Sequence, residues 1–577
     1  MASKATGFPR DHPAYRWVVL SNTTLGVMMA TINSSIVIIS LPAIFRGIHL
    51  DPLAPGNVGY LLWMLMAYLL VTAVLVVSLG RLGDIRGRVR IYNAGFAVFT
   101  AGSVALALDP LGGGGGALWL IAWRVVQGVG GAMLLANSTA IVTDAFPSTQ
   151  RGLALGINQV AALAGSFIGL VGGGLLAEWS WRAIFFVSVP VGIAGTVWAY
   201  HSLHELGRRV AGRIDWAGNL TFGVGLTAVL GAITYGIQPY GGSAEGWGNP
   251  LVVGGLAGGA VLLVGFCAVE LRSRTPMFDL RLFRIRAFAA GNAAVLLAAI
   301  ARGGLQFMLI IWLQGIWLPL HGYDFVDTPL WAGIYLLPLT FGFLAAGPLS
   351  GHLSDRHGAR AFASGGLVLC ALSFAGLLLL PVNFDYRLFA LLLALNGIGS
   401  GMFSAPNTTA IMNAVPATRR GSAAGMVSTF QNAGMTLSIG VFFSLMIAGL
   451  AGTLPAAMHR GLVAQHVPDA TATRLAGLPP VGSLFAAFLG YNPLASLLGP
   501  GVLSSLPPQS AATLTGHEFF PHLIGSPFHS GLVIVFTLAI AMSLVGAGAS
   551  LMRGRRHVHE PSGARRDETA GTVRNVA

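Results

Sequence analysis

The sequence specifies an all-α polytopic membrane protein built as two pseudo-symmetric six-helix bundles with an inserted helix pair. Three observations carry this expectation: a charge-poor apolar composition, about fourteen apolar runs of membrane-spanning length, and short motifs that recur at nearly one spacing. Of 577 residues, 54% are hydrophobic and only 9% charged, with a mean hydropathy of +0.72. Soluble domains carry roughly 25% charged residues, so the bilayer is the expected solvent. A net charge of +13 and a pI near 10.5 would suit nucleic acid. The arginines, however, concentrate in short loops between apolar runs, and no nucleic-acid partner is expected. Cys267 and Cys370 both lie inside apolar runs and offer neither a disulfide framework nor a metal site. Arg far outnumbers Lys, with Lys4 the single Lys, as in proteins of GC-rich bacterial genomes.

The elements follow in order. A polar, basic tail (1–16) precedes a long apolar run without a small-residue cleavage site, which reads as a first helix and not a signal peptide. Runs of roughly 20 residues cross a hydrocarbon core of roughly 30 Å. They fall at 17–45, 58–79, 91–109, 117–143, 152–177 and 183–203, the N-terminal six-helix bundle. The linker 204–286 carries two extra spans, 215–237 and 250–270. The C-terminal bundle, 287–552, holds 287–317, 330–350, 361–381, 387–412, 421–450 and 529–552. Its long loop, 451–528, reads either as a small cap over the exit or as a loosely ordered segment on the membrane. A tail, 553–577, closes the chain. Arginines such as Arg81, Arg86, Arg88, Arg90, Arg208, Arg209 and Arg213 gather on one side, and Arg46, Arg182, Arg387, Arg460 and Arg474 are the few on the other. The positive-inside rule therefore predicts a multi-pass protein of a bacterial inner (plasma) membrane with both termini cytoplasmic.

The chain repeats itself. "AFPSTQRGLALG" (145–156) and "AVPATRRGSAAG" (414–425) share one pattern at an offset of 269, as do "QGVGGAM" (127–133) and "NGIGSGM" (396–402). "GRLGDIRGR" (80–88) and "GHLSDRHGA" (351–359) match at an offset of 271. Such matches indicate a duplicated unit. Parallel halves of this kind are a recurring transporter plan, with the substrate site at their interface.

In "GRLGDIRGRVR" (80–90), Gly80, Gly83 and Gly87 allow a tight turn and close helix approach, while Asp84 and Arg88 can meet across helices. "GHLSDRHGAR" (351–360) supplies Gly351, Asp355, Arg356, Gly358 and Arg360. The two copies resemble the inter-helix signature of the major facilitator superfamily, G-x-L-[AS/G]-D-R-x-G-R-[KR]. That resemblance implies a cytoplasmic gate held by charge contacts that break and re-form. "RVVQGVGGAM" (124–133) resembles the family's fourth-helix motif through Arg124, Gln127, Gly128 and Gly130, which implies a part for Arg124 in proton or substrate coupling. An intramembrane Arg is expensive and should face the interior with a partner. In the fifth helix, Gly165, Gly169 and Gly173 make a close-approach face. With Gly174, Trp181, Arg182, Ile184, Phe185 and Pro190, the segment resembles the antiporter motif G-P-x-x-G-G followed by W-R-W-I-F, with Leu170 replacing the proline. Together the motifs and the inserted pair make the chain similar to the fourteen-helix drug:proton antiporters of the EmrB/QacA type.

In that subfamily the first helix commonly reads L-D-x-T-I-V-N-V-A-L-P; here "INSSIVIISLP" (32–42) puts Asn33 where the acid would stand. No Asp or Glu falls mid-membrane, whereas Arg124 and Arg302 do. An apolar cavity with cations and no carboxylate favours neutral, zwitterionic or anionic amphiphiles over quaternary ammonium dyes. Asn33, Asn137, Asn158, Gln159, Asn292, Gln306 and Gln314 either line that cavity or tie helices together. Titratable candidates for proton coupling are Asp84, Asp144, Glu178 and His352. The expected activity is secondary export of small amphipathic molecules by alternating access, proton-driven and without cofactor or metal, by a monomer in contact with membrane lipids. A symporter, or a transporter of lipids or anionic metabolites on the same fold, is the alternative. An enzyme is not expected, since neither H-E-x-x-H nor an ATP-binding G-x-x-x-x-G-K-[ST] occurs.

Overall fold

The computed structural model describes residues 12, 14–51, 57–147, 150–206, 215–243, 245–273, 276, 278–416, 419–489 and 492–553. Among them it holds fourteen helices long and apolar enough to cross a membrane. In chain order the first eight are α1 (Tyr15–Gly47), α2 (Asn57–Arg86), α3 (Arg88–Ala107), α4 (Gly113–Ala145), α5 (Arg151–Trp179), α6 (Ala183–Ser202), α7 (Trp216–Gly236) and α8 (Pro250–Arg272). They are followed by α9 (Arg286–Trp317), α10 (Thr328–Tyr335 continuing as Leu337–His357), α11 (Ala359–Leu379), α12 (Tyr386–Ala414) and α13 (Arg420–Ala451). No strand occurs among the described residues. In hydrocarbon every backbone N–H and C=O must be paired within its own segment, and the helix alone does this one segment at a time. Local signals start several of them. Asp215 accepts from the Gly218 amide at 2.7 Å, Asn249 from Leu251 at 2.9 Å, and Asp385 from Arg387 at 2.7 Å.

The duplication reappears in the packing. In the first half α1 lies on α5, α4 on both α2 and α3, and α3 on α6. In the second half α9 lies on α13 and α12 on both α10 and α11. α11 packs on the last span, α19 (Phe519–Leu551). The repeated glycines make these contacts. A Cβ on Gly128 would fall 3.1 Å from the Tyr68 carbonyl of α2, and Gly397, 269 residues on, abuts Leu339 of α10. Gly130 and Gly399 likewise meet the backbones of α3 and α11.

The halves touch along two seams. On one, Gly174 of α5 abuts Leu330 and Gly333 of α10 abuts Leu170. On the other, Thr429 of α13 donates to the Ala73 carbonyl of α2 at 3.4 Å. Gln314 of α9 adds a 3.4 Å bond to the Ile39 carbonyl of α1. The inserted α7 runs along α2, where Ser78 bonds Asn219 and Trp63 lies by Gly231, and it also meets α13 through Ile233 and Gly440. The loop after α7 brings Glu245 onto α13, accepting from Ser444 and from its neighbour Trp247, each at 3.1 Å.

The long loop at 451–528, expected either as a small cap or as a loosely ordered segment on the membrane, is helical over most of its length. It forms α14 (Leu454–Ala464), α15 (Asp469–Ala476), α16 (Pro480–Phe488), α17 (Leu494–Ser505) and α18 (Pro508–Thr515). Pro455, Pro468, Pro480, Pro493 and Pro508 stand at or beside their first residues, where a missing N–H costs nothing. The last span begins at Phe519, inside that segment, because its apolar face continues past the bilayer-length run. Of these helices, α16 is buried most completely, with Leu484 to Phe488 at 0–1% exposure.

Burial at the α7–α13 junction raises the Glu245 carboxyl above its ordinary range, offset in part by the bonds from Ser444 and Trp247. A raised acid binds its proton more tightly when folded, so its contribution is complete at low pH and is lost as pH rises through the folded value. Glu245→Gln, which keeps an acceptor without charge, should match the parent's thermal stability near pH 5 and exceed it near pH 8. Thermal unfolding of the purified protein in detergent checks this; a parallel pH dependence in both proteins would refute it.

Candidate functional site

In the interior of the first half, Arg124 of α4 is 2% exposed. An arginine at mid-membrane costs about 3 kcal/mol on insertion scales, so its partners matter. Its Nη1 donates to Asn33 Oδ1 of α1 and, at 3.0 Å, to Gln127 Oε1. Nε reaches the Met64 carbonyl of α2 at 3.4 Å, and the guanidinium lies 4.6 Å from the centre of the Tyr68 ring. Gln127 donates onward to Ser103 of α3 at 2.9 Å. Every partner is neutral; among the described residues no carboxylate pairs with Arg124. Asn33 Nδ2 is buried and has no hydrogen-bond partner among those residues. A cation and an orphan donor side by side present two groups seeking an acceptor.

The rest of the first helix's polar cluster serves packing. Gly165, Gly169 and Gly173 of α5 face Thr31, Ser35 and Ser40 of α1, so closely that a Cβ on Gly169 would strike the Ser35 hydroxyl and the Ile32 carbonyl. Ser40 donates to the Gly173 carbonyl at 2.9 Å. Gly174 turns to the other half, against Leu330. Asn137 bonds the Met133 and Leu79 carbonyls, tying α4 to α2. Asn158 joins three helices, accepting from Thr24 at 2.9 Å and donating to Ser138 at 3.0 Å. The side chain of Gln159 lies outside the described residues.

At the Arg-rich end, Arg88 stands between two carboxylates. It meets Asp84 through Nε at 2.9 Å and Nη2 at 2.8 Å, and Asp144 of α4 through Nη1 at 2.6 Å. All three are part-buried, so this fork is stronger than a surface pair. Gly87, at φ 113°, makes the turn, and Glu205 beyond α6 closes over it, accepting from the Val89 amide at 2.7 Å and the Arg90 amide at 3.2 Å. A side chain at Gly87 would be strained in φ and would collide with Glu205. Gly83 packs on Asn137, and Gly80 near Ala136.

The second half departs from this pattern. Gly358 repeats the turn at φ 93°, but Ala359 stands in the place of Arg88, and Asn413 in that of Asp144. Arg356, Arg360 and His352 are exposed, Gly351 lies near Ala405, and the Asp355 side chain is outside the described residues. In mid-α9, Arg302 is half-buried with Gln306 one turn on. Arg302 follows Asn33 by 269 residues, the repeat offset, so each half carries its cation on a different helix. Asn292 bonds within α9, to the Phe288 carbonyl at 2.9 Å, and Gln314 serves the α1 seam. Glu178 is exposed at the end of α5. Sequence reasoning missed Tyr68, Ser103 and Glu205. Only Tyr68 left a signal, as an aromatic within a helix facing an arginine-bearing one.

The sequence profile of the Major Facilitator Superfamily matches residues 23–439. A multidrug resistance protein, Stp, of Mycobacterium tuberculosis is 34% identical over 458 residues, 78% of this chain and 80% of that protein. A tetracenomycin C resistance and export protein of Streptomyces glaucescens is 28% identical over 537 residues, 93% of this chain and 91% of its own. In fold, the chain is similar to an inward-facing bacterial homologue of the human lysosomal transporter Spinster, with a TM-score of 0.55 at 16% identity. The likeness covers 94% of this chain and 99% of that one.

Two outcomes test the geometry. Gly169→Val should push α1 from α5 and lower stability by about 1–3 kcal/mol, read by thermal unfolding in detergent; an unchanged midpoint would show that the seam is loose. Asp84→Asn, which removes one arm of the Arg88 fork, should abolish transport while the protein remains folded in the membrane. Parental transport rates in that variant would take Asp84 out of the transport mechanism.

Proposed function

The chain belongs to the major facilitator superfamily, and from that premise we propose that it exports neutral or anionic amphiphiles, driven by the proton gradient. Transport and efflux come with the family and with relatives named for multidrug resistance and for export; charge preference, coupling and orientation are our reading. The observation that carries it is Arg124, buried among neutral partners beside the orphan Nδ2 of Asn33. In a low-dielectric interior an uncompensated guanidinium repels a lipophilic cation and attracts a carboxylate, sulfonate or phenolate. An acceptor oxygen reaching this corner would satisfy both groups. Arg302 in the second half adds a cation of the same sign.

Coupling falls to the Arg-rich end. Arg88 divides its donors between Asp84 and Asp144, so a proton on Asp144 releases the arm that ties α4 to the α2–α3 turn, and one on Asp84 loosens the turn itself. The Arg-rich end is taken as cytoplasmic by the positive-inside rule, which puts α14–α18 outside. Both halves reside in one chain, so a monomer suffices, with lipid around the exposed faces and no cofactor beyond the proton gradient.

Efflux from loaded cells, compared between ethidium and anilinonaphthalene sulfonate at two external pH values, tests the reading. The anionic probe should leave faster than from null cells, and a protonophore should stop it. Arg124→Gln should slow it at least tenfold, about 1.4 kcal/mol of lost interaction, without slowing ethidium. Rapid ethidium loss with the anionic probe unaffected would overturn the charge preference. Uptake of probe into inverted vesicles coupled to release of protons from their lumen would support export; proton and probe moving in the same direction would favour the symporter.

A further inference from the structure

Helix α16 does not lie on the surface as a lid would. Its side chains from Leu484 to Phe488 are all at 0–1% exposure. Phe488 sits 4.9 Å from the ring of Phe307 in α9, and Phe485 stacks on Phe443 of α13 at 5.1 Å with an interplanar angle of 10°. Phe307 and Phe443 are themselves 4.6 Å apart. Phe307 precedes the end of α9 at Trp317 by ten residues, so the rings of Phe307 and Phe488 meet within the length of that span and not at its rim. The backbone of α16 is seated as well. Leu313–Trp317 form a π-helical turn, and a Cβ on Gly315 within it would lie 2.7 Å from the Ala487 carbonyl carbon. Such turns are concentrated at functional positions, because they shift one helix face against its neighbours. The third wall of the seat is α2, from the other half.

These walls belong to parts that separate. In alternating access the halves rock about the central site, so the outer ends of α2 and of the α9–α13 pair must move apart when the path opens outward. A helix wedged among all three cannot keep both sets of contacts in that state. We infer that α16 is a movable stopper of the outer exit, built from Phe485 and Phe488, which leaves its seat in each export cycle. The inference rests on the orientation proposed above and goes beyond it by assigning a gating role to a segment outside the duplicated halves. Gly477 precedes the helix and marks where it can swing, while Pro479 and Pro480 stiffen its entry. Release exposes the aromatic faces of Phe307 and Phe443, apolar surface that a departing amphiphile can cover in its turn.

The native thiols are Cys267, exposed, and Cys370, buried. In a Cys267→Ser, Cys370→Ser background, Ala487→Cys places one small thiol in the seat. A membrane-impermeant maleimide added to whole cells should label it at least tenfold faster in energised cells exporting anilinonaphthalene sulfonate than in cells treated with a protonophore. Equal labelling in both states, or protection in both in whole cells and in inverted vesicles alike while the background exports at the parental rate, would overturn the stopper. A second variant guards against a merely static cap: Gly315→Cys with Ala487→Cys, whose Cβ positions lie 3.1 Å apart. Oxidation should halt export and a reductant restore it, whereas full cross-linking with undiminished export would overturn the inference. Energy-dependent labelling confined to inverted vesicles would reverse the proposed orientation and leave the stopper in place.

Discussion

The guanidinium of Arg124 is the constraint around which the first half is arranged. A cation at mid-membrane demands partners, and besides Gln127 of α4 itself three helices bring them: Asn33 from α1, the Met64 carbonyl and Tyr68 from α2, and Ser103, which Gln127 reaches, from α3. Meeting that demand requires α1, α2 and α3 to close tightly on α4. The glycines at 128 and 130 permit this by letting the neighbouring backbones approach within van der Waals contact. The glycine face of α5 then fixes α1 from behind, so that Asn33 points inward while Thr31, Ser35 and Ser40 point to α5. Chemistry and packing thus divide the polar residues of one helix between its two faces.

Duplication supplied two copies of the scaffold, but the charges are not duplicated with it. The same helix pairs pack in both halves, with glycines at matching offsets. Yet Leu393 stands where Arg124 would be, Ala359 where Arg88 would be, and Asn413 where Asp144 would be. Shape is what a repeat must preserve to keep two halves congruent, since backbone approach tolerates no added Cβ. A charge can be lost from one half without disturbing that congruence, which leaves the Arg88 ion pairs in the first half and the half-buried Arg302 in the second.

Parts added outside the repeat lie where the halves meet. The inserted α7 runs along α2 and touches α13, and its following loop sets Glu245 against Ser444. Helix α16 enters the same side at the same end, where Phe485 stacks on Phe443, the neighbour of Ser444. Apolar helices gain most by covering seams, where two surfaces are buried at once, and both additions obey that preference. The outcome is a molecule whose interface between halves is contacted by elements that the symmetric plan does not contain.

Much of this was legible beforehand. Hydropathy alone located the fourteen spans, because the backbone in a bilayer has so few alternatives. The repeat at 269 and 271 residues identified corresponding helices, and motif spacing singled out the α2–α3 turn and Arg124. What the linear chain did not contain was partnership. Nothing in the order of residues said that Asn33 would accept from Arg124, that Glu205 would cap a turn more than a hundred residues earlier, or that the long loop would fold inward. Hydrophobic period and turn chemistry are local properties, written into neighbours along the chain. Which polar groups meet, and whether an apolar stretch of a loop covers the surface or packs between the halves, depends on where helices far apart in sequence come to rest.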